Sequence, residues 1–317
     1  MSNILITGGT GFLGRRLGRH FLSVGNNVFL TGRNHDQNRF AERSTGCTVL
    51  PSDVSNVEST RDVFAEAAPD IVIHAAASKY VDTAEANPME CIDVNVTGSQ
   101  NVARVAIEKK AQVVVGISTD KAAPPIANTY GLSKALMERL YCGMDRKTPT
   151  KFVCVRFGNM PWSTGSVFPI WQKMIENGGM IRSTGPHMTR LFTPVDEAVT
   201  LVATAIDKID SVHGKILCRT MKAGLIGDFL RVWTERQGGK WERIPARTGE
   251  RTYEHLIGDS ELMFTTETDI EGIRHYLIDP NHMVANPLRE IISSINAERF
   301  SDEQIWEIIK NHPEAAD

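Results

Sequence analysis

The 317-residue chain carries 35 lysines and arginines against 38 acids, a net charge of -3. So small an imbalance gives no long-range field for a polyanion, which excludes nucleic acid as the expected partner, and the length allows one large α/β domain with a smaller one attached. Cys47, Cys91, Cys142, Cys154 and Cys218 are scattered, without Cys-x-x-Cys or metal-ligand spacing, so a reduced cytoplasmic protein with no metal site is expected.

Met1 leads straight into an apolar run, with no basic leader segment. No later stretch approaches the ~20 apolar residues of a membrane span, and a soluble enzyme is predicted. Runs at residues 3–8, 27–32, 47–52, 70–77, 112–119 and 151–159 are apolar nearly throughout, as strands covered on both faces must be. Between them, residues 11–25, 57–68 (ended by Pro69) and 88–110 read as helices. The alternation predicts βαβ crossovers and a parallel sheet.

The first strand runs into TGGTGFLG, which opens a helix. In this setting Gly8 permits the tight turn, Gly11 lets backbone N–H groups approach a pyrophosphate, and Gly14 lets helix and strand pack closely. Thr10, Phe12 and Leu13 complete a dinucleotide-binding loop. At the end of the second strand an acid would hold a ribose 2′-hydroxyl, whereas an arginine would meet a 2′-phosphate. The chain has Thr31-Gly32-Arg33-Asn34 there, which favours NADP over NAD, with Arg39 and Arg43 as further cations.

After the third strand, Asp53 and Val54 are placed for the adenine, although aspartates also cap turns. Small residues Ala75 and Ala76 after the fourth strand let backbone lie against a cofactor, and His74 before them reads equally as a core histidine or a contact. The fifth strand ends in Ser118-Thr119 and leads to YGLSK, in which Tyr130 and Lys134 share one helix face. An ammonium beside a phenol favours the phenolate, so Tyr130 is expected to take a proton from a substrate hydroxyl during hydride transfer from C–OH to a nicotinamide. Just upstream, Asp120-Lys121 sets an acid beside a base, which reads as chemistry or as a charged turn before Pro124-Pro125.

After Asn159 the alternation breaks at Pro161, Trp162, Gly165 and Pro169. The predicted fold is therefore a Rossmann-type doubly wound parallel sheet with a smaller C-terminal substrate-binding domain. Residues 1–160, with 190–220 returning to them, form the dinucleotide-binding part, and residues 161–189 and 221–317 the substrate-binding part. Residues 196–209 read as a sheet-covering helix, and Ser301 with Gln304 marks a capping box ahead of a last helix.

With AAASKYVDTAEANP, STDKA, YGLSK, RFGNM, PHMTRLF and RTGERTYEHL, the chain resembles the extended short-chain dehydrogenase/reductases. Within them it resembles the inverting UDP-N-acetylglucosamine 4,6-dehydratases of polysaccharide and pseudaminic acid biosynthesis. The resemblance implies that Tyr130, supported by Lys134, deprotonates the sugar 4-hydroxyl while Thr119 binds the developing oxyanion. It further implies that Lys121, if neutral, removes the C5 proton, that Asp120 protonates the departing 6-hydroxyl, and that hydride returns to C6. Lys79 and Asn159 would approach the substrate, Asn95 would be structural, and Arg190, Arg247 and Glu250 would clamp the nucleotide. A homo-oligomer is also implied.

Two departures from the family pattern are AAPPIANT, one residue longer than expected between Lys121 and Tyr130, and the bulky Pro161-Trp162. A 4-epimerase or 4-ketoreductase using only Thr119, Tyr130 and Lys134 is the alternative enzyme. An NADP-binding sensor is the alternative without chemistry.

Overall fold

The computed structural model describes residues 1–246 and 249–312. Six parallel strands carry the first half: β1 (Asn3–Thr7), β2 (Asn27–Gly32), β3 (Thr48–Pro51), β4 (Ile71–His74), β5 (Val113–Ile117) and β6 (Lys151–Val155). Each falls inside a run that the sequence marks. Their order is β3-β2-β1-β4-β5-β6, so the winding reverses between β1 and β4, where a doubly wound sheet opens its ligand crevice. Every residue of β5 is buried, which explains its lack of alternation.

Helix α1 (Phe12–Ser23) buries Leu13, Leu17 and Phe21, and packs beside α2 (His35–Thr45) and the Val195–Asp207 helix. Helix α3 (Val57–Ala67) packs with the Gly98–Glu108 helix, which in turn meets the Thr129–Asp145 helix. Helix α2 is mostly polar and lacks an apolar stripe that the sequence could mark; its start is set by Asn34, which accepts from the Gln37 amide. The long 88–110 segment is broken into Pro88–Ile92, a π-helical turn at Asp93–Thr97, and Gly98–Glu108.

The boundary drawn at residue 221 needs correction. Ile216–Arg219 joins parallel to β6, and an antiparallel hairpin, Thr265–Ile270 with Ile273–Ile278, extends the same sheet to nine strands. Part of the segment given to the substrate domain is therefore sheet. The hairpin turns through Glu271 (φ 57°) and Gly272 (φ 78°), both left-handed, a geometry that follows the twist of paired strands. Glu271-Gly272 between two β-rich runs was the available signal.

The remaining segments build a cap with its own core, in which Trp162, Phe168, Trp171, Phe229 and Trp233 pack with Ile305 and Ile309. The last helix, Asp302–Lys310, has the predicted reciprocal capping box of Ser301 and Gln304. Trp162, bulky by the family pattern, turns into this core and donates Nε1–H to the Ile308 carbonyl at 2.8 Å.

Candidate active site

A cleft of about 640 Å³ lies at the C-terminal ends of β1, β4 and β5. Its floor is the glycine loop. Gly8 has φ 66°, and a Cβ there would stand 2.6 Å from the Ala76 amide nitrogen; one on Gly14 would stand 2.5 Å from Gly9 Cα. Loop, strand end and helix thus meet with no room for side chains. Gly11 precedes α1, and no side chain caps that helix, whereas Asn34, Asn56 and Asn128 cap three others. Free N–H groups at a helix start facing a cleft form a cradle for a diphosphate. Thr10, Phe12, Leu13, Val54, Ala75 and Ala76 line the same floor.

At the rim, Arg33 is half exposed, with Asp53 at 3.7 Å and Glu90 at 4.0 Å. Asn34 and Gln37 line the cleft beside it. One Asp53 oxygen accepts from the amide and hydroxyl of Ser55, so this aspartate caps a turn; its neighbours Ser52 and Val54 form the wall. His74 is a satisfied core histidine: its ring nitrogens lie 2.7 Å from the Thr7 hydroxyl and 3.1 Å from that of Ser99, and burial drops its pKa to about 3.

Thr119, Lys121, Tyr130 and Lys134 all reach the cleft. The Asp120–Ala122 turn carries the acid–base pair, and it lies against the first turn of the Thr129–Asp145 helix because Gly131 has no side chain. A Cβ there would be 2.3 Å from the Lys121 carbonyl oxygen. The extra residue in AAPPIANT therefore leaves the pair beside Tyr130. Asn95, in the π-helical turn, accepts from the Ser78 amide at 2.8 Å and donates to Ser133 Oγ at 2.9 Å, tying the end of β4 to the tyrosine helix.

Asp120 is fully buried, and its Oδ1 accepts from the Thr119 hydroxyl at 3.0 Å and from Lys121 Nζ at 3.0 Å. Lys121 also donates to Asn159 Oδ1 at 3.1 Å. A second buried carboxylate, Glu254 in RTYEHL, places Oε1 3.8 Å from the same ammonium. The sequence did not single it out, because residues so far apart in the chain announce no proximity.

Electrostatics revise two expectations. Burial is the largest influence on Lys121 and favours the neutral amine, yet Asp120 and Glu254 together outweigh it and raise the pKa. Lys121 therefore rests as an ammonium, and the condition for a neutral base is not met in the isolated side chain. Tyr130 was expected to have a lowered pKa. Burial raises it and Asp120 adds to the rise, while the Thr119 hydroxyl alone pulls the other way. Burial lowers Lys134 to about 8.

Lys79 overhangs the cleft with its ammonium 5.5 Å from the Tyr80 ring centre. Arg190 donates to the carbonyls of Thr189 at 2.9 Å and Thr252 at 3.4 Å, and its charge acts on Lys121 and Glu254. It belongs with the buried cluster and does not line the cleft. Glu250 accepts from the Thr184 hydroxyl at 3.0 Å, and Arg247 lies outside the described residues. Among the described residues no group of three or more His, Cys, Asp or Glu is arranged to hold a metal ion, and no helix is long and apolar enough to cross a membrane.

Set beside known proteins, the chain is 32% identical to the UDP-glucose 4-epimerase of Rickettsia conorii, over 96% of this chain and 94% of that one. It is likewise 32% identical to an uncharacterized membrane protein, MJ1061, of Methanocaldococcus jannaschii, over 97% and 95% of the two chains. The solved structure of Pen from Bacillus thuringiensis superposes with a TM-score of 0.89 at 26% identity, covering 98% of both chains. The model of the family described as Polysaccharide biosynthesis protein matches residues 4–275, and with most of its length matched the chain belongs to that family.

Proposed function

We propose that this protein is a nucleotide-sugar 4,6-dehydratase acting on UDP-N-acetylglucosamine with inversion at C5. The observation that carries the reading is the Asp120–Lys121 pair beside Tyr130, with Lys121 lining the cleft and Asp120 buried behind it. Oxidation at C4 alone needs one proton acceptor; elimination of water across C5 and C6 also needs a base and an acid on neighbouring carbons.

The cradle of Gly8, Gly11 and the uncapped α1 start would hold a dinucleotide diphosphate, with Tyr130 and Lys134 at the nicotinamide end and Arg33 toward the adenine ribose. Arg33 supports NADP over NAD, since its two acidic neighbours lie at ion-pair limits and leave the guanidinium half exposed. An oxidised nicotinamide would supply hydride acceptance at C4 and hydride return to C6.

Tyr130, which rests as a neutral phenol, must give up its own proton before it takes that of the 4-hydroxyl, and Thr119 steadies the oxygen. Lys121 and Asp120 then act at C5 and C6. Their resting state is an ammonium beside a carboxylate, so a proton must leave Lys121 before it acts as the base. The five cysteines are free thiols, in keeping with a reducing cytoplasmic setting.

Incubation of the purified protein with UDP-N-acetylglucosamine, followed by proton NMR, should yield a 6-deoxy-4-keto product. Unchanged substrate would overturn the proposal. A 4-epimer that keeps its 6-hydroxyl would establish the second reading, an epimerase, which similarity to the Rickettsia protein favours.

A further inference from the structure

We propose that Glu254 is the proton store of Lys121, taking a proton from the ammonium to leave the neutral amine that C5 requires. The inference rests on the dehydratase reading and adds to it a residue that acts on the sugar only through Lys121.

The geometry isolates a small buried proton system. Lys121 Nζ has Asp120 Oδ1 at 3.0 Å, Asn159 Oδ1 at 3.1 Å and Glu254 Oε1 at 3.8 Å. The Glu254 side chain is only 3% exposed and that of Asp120 is fully buried, while Lys121 keeps 15% toward the cleft. Among the described residues, Asp120 Oδ2, Glu254 Oε2 and Arg251 Nη1 are buried without a hydrogen-bond partner, the last two 3.7 Å apart. Two carboxylates thus stand around one ammonium, each with an oxygen left over. The charged groups acting on Glu254 are Lys121 and Asp120 on the Asp120–Ala122 turn, Arg190 on the Thr189–Phe192 strand, and Arg251 three residues before it.

A carboxylate in such a place has reason to accept a proton. Burial raises the Glu254 pKa and Asp120 adds to the rise; Lys121, Arg190 and Arg251 oppose it without cancelling it. In a low-dielectric pocket a neutral amine beside a neutral acid comes close in free energy to the ion pair.

The step balances. One N–H bond of Lys121 breaks and one O–H bond forms on Glu254 Oε1, so both charges vanish. The amine lone pair then takes the C5 proton. Lys121 passes a proton to Asp120 Oδ1, and Asp120 gives it to the departing 6-oxygen, which leaves as water. Return of the stored proton from Glu254 to Lys121 restores the starting state.

The test compares wild type with Glu254→Gln and Glu254→Asp in two independent measurements. The first is competitive acetylation of lysines with acetic anhydride across pH, read by mass spectrometry, with exposed Lys147 as internal reference. Half-labelling of Lys121 should move down by about one pH unit in Glu254→Gln and stay near wild type in Glu254→Asp. The second is exchange of the C5 proton of UDP-N-acetylglucosamine in deuterated water with NADP bound. In Glu254→Gln it should slow about tenfold or more and lose its wild-type pH profile, while reduction of the nicotinamide at C4 keeps its rate.

An unmoved Lys121 labelling curve in folded Glu254→Gln would overturn the proposal, as would unchanged C5 exchange. Should Glu254→Gln fail to fold, Glu254→Asp decides alone: its shorter side chain keeps a charge near Lys121 but lengthens the 3.8 Å proton path, so slowed C5 exchange supports the store and an unchanged rate overturns it. A wild-type enzyme that never exchanges C5 sinks the dehydratase reading instead, and the labelling arm still reports on the Glu254–Lys121 pair.

Discussion

Lys134 is almost fully buried, its ammonium donates to the Met137 sulfur at 3.5 Å, and burial lowers its pKa from 10.5 to about 8. Below pH 8 both folded and unfolded chains hold this proton, and the folded state bears the whole cost of the buried charge. Between pH 8 and 10.5 the unfolded chain binds more protons, so this penalty is relieved as pH rises. Lys134→Met should therefore be more stable than wild type by roughly 1–3 kcal/mol at pH 7, with the gap closing toward pH 10, and should lose activity by about a hundredfold or more. Urea denaturation at the two pH values, set beside turnover, checks both halves; equal stability at pH 7 would count against the buried-charge argument. At the rim, Arg33→Ala should weaken NADP binding about tenfold or more and leave NAD within about twofold, as read by calorimetry. Equal losses for both would remove the arginine from the cofactor's 2′-phosphate. The positions of Arg33 after a strand end and of Lys134 one turn after Tyr130 follow from local spacing in the chain.

Between elements, the tyrosine helix is held at its start and near its middle. Its start meets the Asp120–Ala122 turn through Gly131, where a Cβ would strike backbone that cannot swing aside. Gly131→Ala should lower turnover by about tenfold to a hundredfold through displacement of Asp120 and Lys121, with dinucleotide affinity within about threefold; kinetics and a cofactor titration separate the two. A variant with normal turnover would mean that the turn tolerates movement. Farther along, Arg156 is buried and donates to Glu138 on this helix (2.7 and 2.9 Å), to Glu261 (2.9 Å to each oxygen) and to the Leu256 carbonyl (2.8 Å). Glu138 also accepts from the Ser118 hydroxyl at 2.6 Å, so the network joins β5, β6, the tyrosine helix and the Asp259–Phe264 turn. Arg156→Met leaves two carboxylates buried without their cation and should cost about 3–5 kcal/mol, measurable by denaturant unfolding. A loss below about 1 kcal/mol would contradict it. RFGNM names Arg156 in the sequence but not its partners, which lie on other elements.

Among the described residues there are two cores, one around the sheet and one inside the cap, with the cleft lined from both sides. Phe229 is fully buried in the cap core, its ring 4.8 Å from that of Phe192 and 5.4 Å from that of Phe168. Phe229→Ala should cost about 3–5 kcal/mol and weaken nucleotide-sugar binding ahead of dinucleotide binding, since the glycine cradle belongs to the other core. Thermal unfolding with parallel ligand titrations tests this, and equal weakening of both ligands would show that the cores do not act separately. The nine-stranded sheet complicates a simple division, because its outer hairpin comes from residues that follow most of the cap in the chain.

By itself the sequence determined the six-strand parallel core, the glycine cradle and the Tyr130–Lys134 pair. Each depends on periodicity or on spacing within a few residues, and backbone geometry converts such spacing directly into position. Only the tertiary structure decided that Lys121 is an ammonium between two carboxylates, that Glu254 and Arg190 belong to its cluster, and that Trp162 faces the cap core. Those outcomes depend on which distant side chains share one desolvated pocket, and a charge's protonation state is set there by the sum of burial and neighbours rather than by the residue beside it in the chain.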